Sequence, residues 1–234
     1  MIVAAVFLSF LAAAAAYFVM RADLAAKPWL QQGVIGDLSD PERRKAPAAK
    51  TGLIFFLAVV GSLFALLASA YVMRAGEPDW RSAPMPPLLW INTGVLILSS
   101  LALQASVHAA RRGQSRIARF RLFLGAAAAL AFLVGQLLAW REFAAEGYFL
   151  STNPANSFFY LITGLHGAHL AGGVAALAAV VVKAQGDVAI TPERRGLELC
   201  ALYWHFLLVV WLIMFVLLMG WGGDIVAICR GLVS

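Results

Sequence analysis

Six apolar blocks of about membrane-spanning length dominate this chain, at 2–20, 52–73, 88–109, 122–140, 158–182 and 199–221. About 20 residues at 1.5 Å each cross a hydrocarbon core of roughly 30 Å. Within such a core every backbone N–H and C=O must be satisfied internally, so each block is expected to be a helix. The blocks are continuous rather than alternating, which argues against a membrane β-barrel. Composition agrees: 62% of the 234 residues are hydrophobic and 13% charged, against roughly 45–50% and about 25% in soluble domains. The expected fold is therefore all-α, a polytopic transmembrane bundle of six helices.

Basic residues orient it. The first, third and fifth connectors carry fourteen Lys and Arg, including Arg43, Arg44, Arg111, Arg112, Arg116, Arg119, Arg121, Arg194 and Arg195; the opposite side carries Arg74, Arg81, Arg141 and Arg230. The positive-inside rule puts the rich side in the cytoplasm and both termini outside. The net charge of +6 thus reads as a topology signal in contact with anionic lipid. The aromatic and basic interleaving of an RNA or DNA binder is absent, so no nucleic-acid partner is expected. No basic residue precedes the first block and Arg21 follows it, which reads as an uncleaved anchor at 1–22. The connector 23–50, with Pro28, Pro41 and Pro47, reads as an irregular cytoplasmic loop, and 51–226 as a five-helix core. Cys200 and Cys229 would lie about 40 Å apart on a continuous helix and read as apolar fillers.

Chemistry concentrates in the last two blocks, which place histidine where lipid-embedded helices rarely carry it. At 100° per residue, His166, His169 and Gly173 share one face of the fifth block, while Gly164, Ala168 and Gly172 form a small-residue ridge on another. Small-xxx-small ridges let helices approach closely, so the ridge is expected to pack. On the sixth block Glu198 and His205 share a face, with Glu198 at the cytoplasmic edge. Antiparallel packing puts His169 and His205 at similar depths. Three readings of these groups stay open from the residues alone: hydrogen bonds to helices, lipid or water; ligation of a b-type haem or another metal; and proton relay. His108, beside Arg111 and Arg112, reads as a surface group. Trp204 and Trp211 read as packing residues.

The run 158–173, with Glu198, Tyr203-Trp204-His205-Phe206 and Trp211, resembles the last two helices of subunit III of the haem-copper terminal oxidases, the cytochrome c oxidase type. Asn92-Thr93, Ser99-Ser100, Gly125 and Gln136 agree in order, so the resemblance covers roughly 50–221. It implies a subunit without a redox centre, whose haem and copper partners are catalytic subunit I and copper-bearing subunit II. It also implies a bound phospholipid between helices, and a role in stabilising subunit I within a proton-pumping, oxygen-reducing complex; the alanine- and arginine-rich composition and compact loops point to a bacterial inner membrane. His166, His169, Glu198 and His205 match family positions and are expected to orient lipid head groups or lock the last two helices. Three acidic positions of the family hold Val60, Ala139 and Leu208 here, so a proton path through this subunit loses its usual carriers. Two alternatives stand beside this reading: an accessory subunit associated with nitric oxide reductase, and a stand-alone dihaem cytochrome b.

Overall fold

The computed structural model describes residues 41–81, 84–183 and 191–220. Five helices follow in order: α1 (Pro41–Arg74), α2 (Leu88–Arg111), α3 (Ser115–Ala145), α4 (Pro154–Lys183) and α5 (Thr191–Leu218). Each contains a stretch long and apolar enough to cross a membrane, and the described residues contain no strand. The block at 2–20, the first helix of the sequence reading, lies outside the described residues, as do both termini. Several boundaries differ. Helix α1 starts at Pro41, so the last ten residues of the expected loop 23–50 are helical. Proline suits a first helical position, where its missing N–H would have no partner and its fixed φ is already helical. Helices α3 and α5 start seven and eight residues before their apolar blocks, in polar turns, and α5 ends at Leu218, short of the block's end at 221.

The chain divides into two compact units, Met1–Ala65 and Leu66–Ser234. The second holds the end of α1 and the four helices α2 to α5. Within it α2 and α3 form the most extensive interface, and α5 packs on both α2 and α4.

Two tight turns set the α2–α3 and α3–α4 geometry. Helix α2 ends with Gly113 at φ 72°, where Gly113 N–H donates to Ala110 O and Gln114 N–H to Ala109 O. Helix α3 ends the same way: Gly147 at φ 89°, Gly147 N–H to Ala144 O, and Tyr148 N–H to Phe143 O. These are Schellman caps, which close the orphan carbonyls of a helix end and need a residue that tolerates positive φ. The hydrophobic contact that accompanies the motif is present after α3, where the Phe143 and Tyr148 rings stack with centroids 4.8 Å apart.

Polar side chains then join the helices at heptad intervals. Asn92, Ser99 and Ser106 of α2 donate to the carbonyls of Phe132, Gly125 and Ala118 of α3, at 3.1, 2.8 and 2.7 Å. The residue numbers climb by seven on one helix and fall by seven on the other, as expected for antiparallel helices crossing at a shallow angle. Glycine lets the backbones close: a Cβ on Gly125 would fall 2.9 Å from the Leu103 side chain, and one on Gly135 would collide with Asn92. All four of Asn92, Ser99, Ser106 and Gly125 are buried.

Candidate functional site

Histidines and tryptophans meet where α2, α3, α4 and α5 converge. Three indoles use one device. Trp204 Nε1 donates to Ser99 Oγ at 3.1 Å, and Ser99 donates onward to Gly125 O. Trp211 Nε1 donates to Thr93 Oγ1 at 3.0 Å, and Thr93 donates to Leu89 O. Trp140 Nε1 donates to Thr163 Oγ1 at 2.9 Å, and Thr163 donates to Phe159 O. In each case a hydroxyl accepts from a ring on one helix and donates to a carbonyl, so neither the indole nor the hydroxyl donor is left bare in an apolar interior. Trp204 and Trp211 are fully buried.

His166 lies against this cluster with no exposed surface. Its ring centroid is 4.9 Å from Trp211 and 5.9 Å from Phe132, so it packs between α3 and α5. His169 is half-buried, and its Nδ1 lies 2.8 Å from Leu165 O. His205, also half-buried, contacts Ala201 O through Nδ1. A carbonyl oxygen only accepts, so in the neutral rings Nδ1 carries the proton and Nε2 keeps its lone pair. In both rings Nε2 is therefore the acceptor atom.

Helices α4 and α5 pack tightly at Gly173. A Cβ there would fall 2.6 Å from the Tyr203 ring and 2.8 Å from the Trp204 ring. One turn earlier the Tyr203 hydroxyl donates to His169 O at 2.8 Å. The ridge expected from sequence is placed differently. Gly164 touches the Trp140 ring, its virtual Cβ at 3.4 Å, but Ala168 and Gly172 are exposed, and no described atom lies within 4 Å of a Cβ on Gly172. The close approach belongs to the histidine face because two aromatic rings of α5 need the space that Gly173 leaves.

Glu198 Oε1 accepts from Arg111 Nε at 2.9 Å, tying α5 to the end of α2. Sequence reading assigned Arg111 to topology and missed this bond. It also missed Ser99, Thr93 and Thr163 as receivers of the indoles; the heptad spacing of Asn92, Ser99 and Ser106, matched by Trp204 and Trp211, was the signal. Among the described residues no group of three or more His, Cys, Asp or Glu is gathered as metal ligands would be. Ala139 is fully buried in α3 and Leu208 half-buried in α5; with Val60 in α1 they put apolar side chains where the family resemblance led to an expectation of carboxylates.

Fold and seam together define a polytopic helical membrane protein whose intramembrane polar groups join one helix to the next. Residues 50–223 match the family model for cytochrome c oxidase subunit III. The cytochrome c oxidase subunit 3 of Thermostichus vulcanus is 31% identical over 172 residues, 71% of this chain and 84% of that protein. That of Paracentrotus lividus is 31% identical over 171 residues, covering 72% of this chain and 64% of the longer relative. A probable cytochrome c oxidase subunit 3 of Mycobacterium bovis is 32% identical over 167 residues, 70% of this chain and 79% of its own. The chain belongs to the cytochrome c oxidase subunit III family.

Proposed function

We propose that the chain acts as the non-catalytic subunit III of a haem-copper terminal oxidase in a bacterial inner membrane. It docks on catalytic subunit I and copper-bearing subunit II, which hold the haems and copper of a complex that reduces oxygen to water and pumps protons. The observation that most supports this is that the matched stretch, 50–223, coincides with the bundle whose serines, threonines and tryptophans are spent on helix-to-helix bonds. Such a bundle suits a scaffold, which must keep its shape while a neighbouring subunit turns over. Phospholipid is the second part of the proposal. His205 presents an Nε2 acceptor on α5 and His169 a second half-buried imidazole on α4, which suits a head group rich in donors, such as an ethanolamine ammonium or a glycerol hydroxyl. His166, enclosed by Phe132 and Trp211, locks helices instead.

The test is to affinity-tag the chain in native membranes, purify what accompanies it, and record haem, copper and turnover. Haem with copper and oxygen consumption is the expected result. A haem and non-haem iron complex that reduces nitric oxide, or a haem spectrum from this chain alone, would overturn the proposal.

A further inference from the structure

A second surface, at the α2–α3 connection, carries a different chemistry. The end of α2, the turn after it and the start of α3 carry Arg111, Arg112, Arg116, Arg119 and Arg121 within eleven residues. Two of these are occupied: Arg111 by Glu198, and Arg121 by the Ala105 carbonyl at 3.1 Å. Arg112, Arg116 and Arg119 are exposed and have no hydrogen bond or ion pair among the described residues. Arg112 on the turn and Arg116 and Arg119 in the first two turns of α3 are like charges close in sequence, so a counter-anion is favoured there.

Helical geometry shows what lies beside them. Ala118, Gly125 and Phe132 face α2, so at 100° per residue Arg116 points to the opposite side of α3 with Arg119 next to it. Continuing along that outer side come Phe120, Phe123, Leu130 and Val134, exposed by 71, 63, 51 and 56%. The guanidiniums thus sit at the end of an apolar strip about 20 Å long from Phe120 to Val134, more than the roughly 15 Å of one hydrocarbon leaflet. A charged end and an apolar strip on one helix face match the two halves of a phospholipid.

We propose that Arg112, Arg116 and Arg119 bind the phosphate of an anionic phospholipid whose acyl chains lie along Phe120, Phe123 and Val134. Guanidinium suits this because its planar donors pair with two phosphate oxygens at once, whereas an ammonium offers a point charge. The site is independent of the oxidase reading and of the histidine seam, and it selects for net negative charge where the seam selects for hydrogen-bond donors.

The experiment uses the complex purified through a tag on this chain, in nanodiscs of phosphatidylcholine with or without phosphatidylglycerol, with retained lipid counted by native mass spectrometry. The wild-type complex is expected to keep at least one phosphatidylglycerol through delipidation. Excess inorganic phosphate should not displace it, since the apolar strip holds the chains; displacement by phosphate alone would overturn the lipid assignment in favour of a free-anion site. The triple variant R112Q/R116Q/R119Q should bind phosphatidylglycerol on the order of a hundredfold more weakly, from a few-fold per basic residue. The matched triple Lys variant should recover part of that affinity and control for topology. If the triple Gln variant fails to insert, R116Q alone gives the same reading at smaller amplitude. Unchanged lipid retention overturns the proposal, and loss of a partner subunit with lipid retention unchanged reassigns the patch to an acidic protein surface.

Discussion

Ser99 Oγ accepts the Trp204 indole at 3.1 Å and donates to the Gly125 carbonyl at 2.8 Å, so one serine joins α5, α2 and α3. Its neighbour Ser100 is equally buried, yet its hydroxyl has no partner among the described residues. Adjacent serines in the same apolar surroundings therefore have opposite energetic roles. Ser99→Ala should destabilise the bundle by about 1–2 kcal/mol, because it strands an indole N–H in a dry interior. Ser100→Ala should lie within about 0.5 kcal/mol of wild type, since it removes a buried group that makes no bond. Unfolding of the purified complex in mixed micelles, followed by tryptophan fluorescence, separates the two; equal losses would contradict the assignment of Ser99 as the hub.

Gly172 and Gly173 make a second matched pair. A Cβ at Gly173 would overlap the Tyr203 and Trp204 rings, while one at Gly172 meets open space. Gly173→Ala should cost about 1–3 kcal/mol through displaced rings and lengthen the Tyr203 to His169 bond. Gly172→Ala should be tolerated. Thermal melting of the two variants side by side reads the difference, and a sensitive Gly172 with a tolerant Gly173 would restore the ridge suggested by sequence spacing.

Beyond the membrane, Arg74 donates two hydrogen bonds to Asp79, at 2.7 and 2.5 Å. The bidentate guanidinium holds the Asp79 carboxyl below the usual carboxylate range. A depressed carboxylate stabilises the folded state above its unfolded pKa of about 3.9. That contribution disappears as pH falls through the lower folded value. Both partners face water, so the effect should be small and salt-sensitive. Asp79→Asn should flatten the acid limb of a stability-against-pH curve and leave neutral-pH stability nearly unchanged; an unaltered acid limb would show that the pair contributes nothing.

How much of this was readable beforehand follows from the kind of signal each feature leaves. Apolar length alone located the spanning parts of α2 to α5, because hydrocarbon thickness fixes them, but it missed the starts of α3 and α5 by seven and eight residues, where the first turns are polar. It misplaced the start of α1, since Pro41 reads as a breaker in a linear scan and as a good first residue once a helix follows it. The buried position of His166 was foreshadowed by its polar-face periodicity, but periodicity does not say which neighbour covers a face. The wheel grouped His166 with Gly173 and still assigned close packing to Gly164, Ala168 and Gly172; which of two faces a neighbour takes depends on its side chains, here Tyr203 and Trp204. Glu198 was singled out, whereas Arg111 was absorbed into a charge count. Pairing residues 87 positions apart requires the fold.

The histidines give the sharpest remaining prediction because structure and lipid binding part company there. His166 is enclosed by Phe132 and Trp211 and has no surface to offer a head group. Replacing it with alanine empties a ring-sized volume between α3 and α5, which should cost about 2–4 kcal/mol. Bound phospholipid, counted by mass spectrometry of whichever variant complexes survive purification, should not change. His169→Ala and His205→Ala remove half-buried rings, each tied through Nδ1 to a carbonyl of its own helix. They should leave the melting temperature within a few degrees of wild type and lower the count of tightly held donor-rich lipid. If His166→Ala is the variant that loses lipid, the enclosed ring acts on the head group through the helix that carries it, and the division of labour along α4 drawn from burial is wrong.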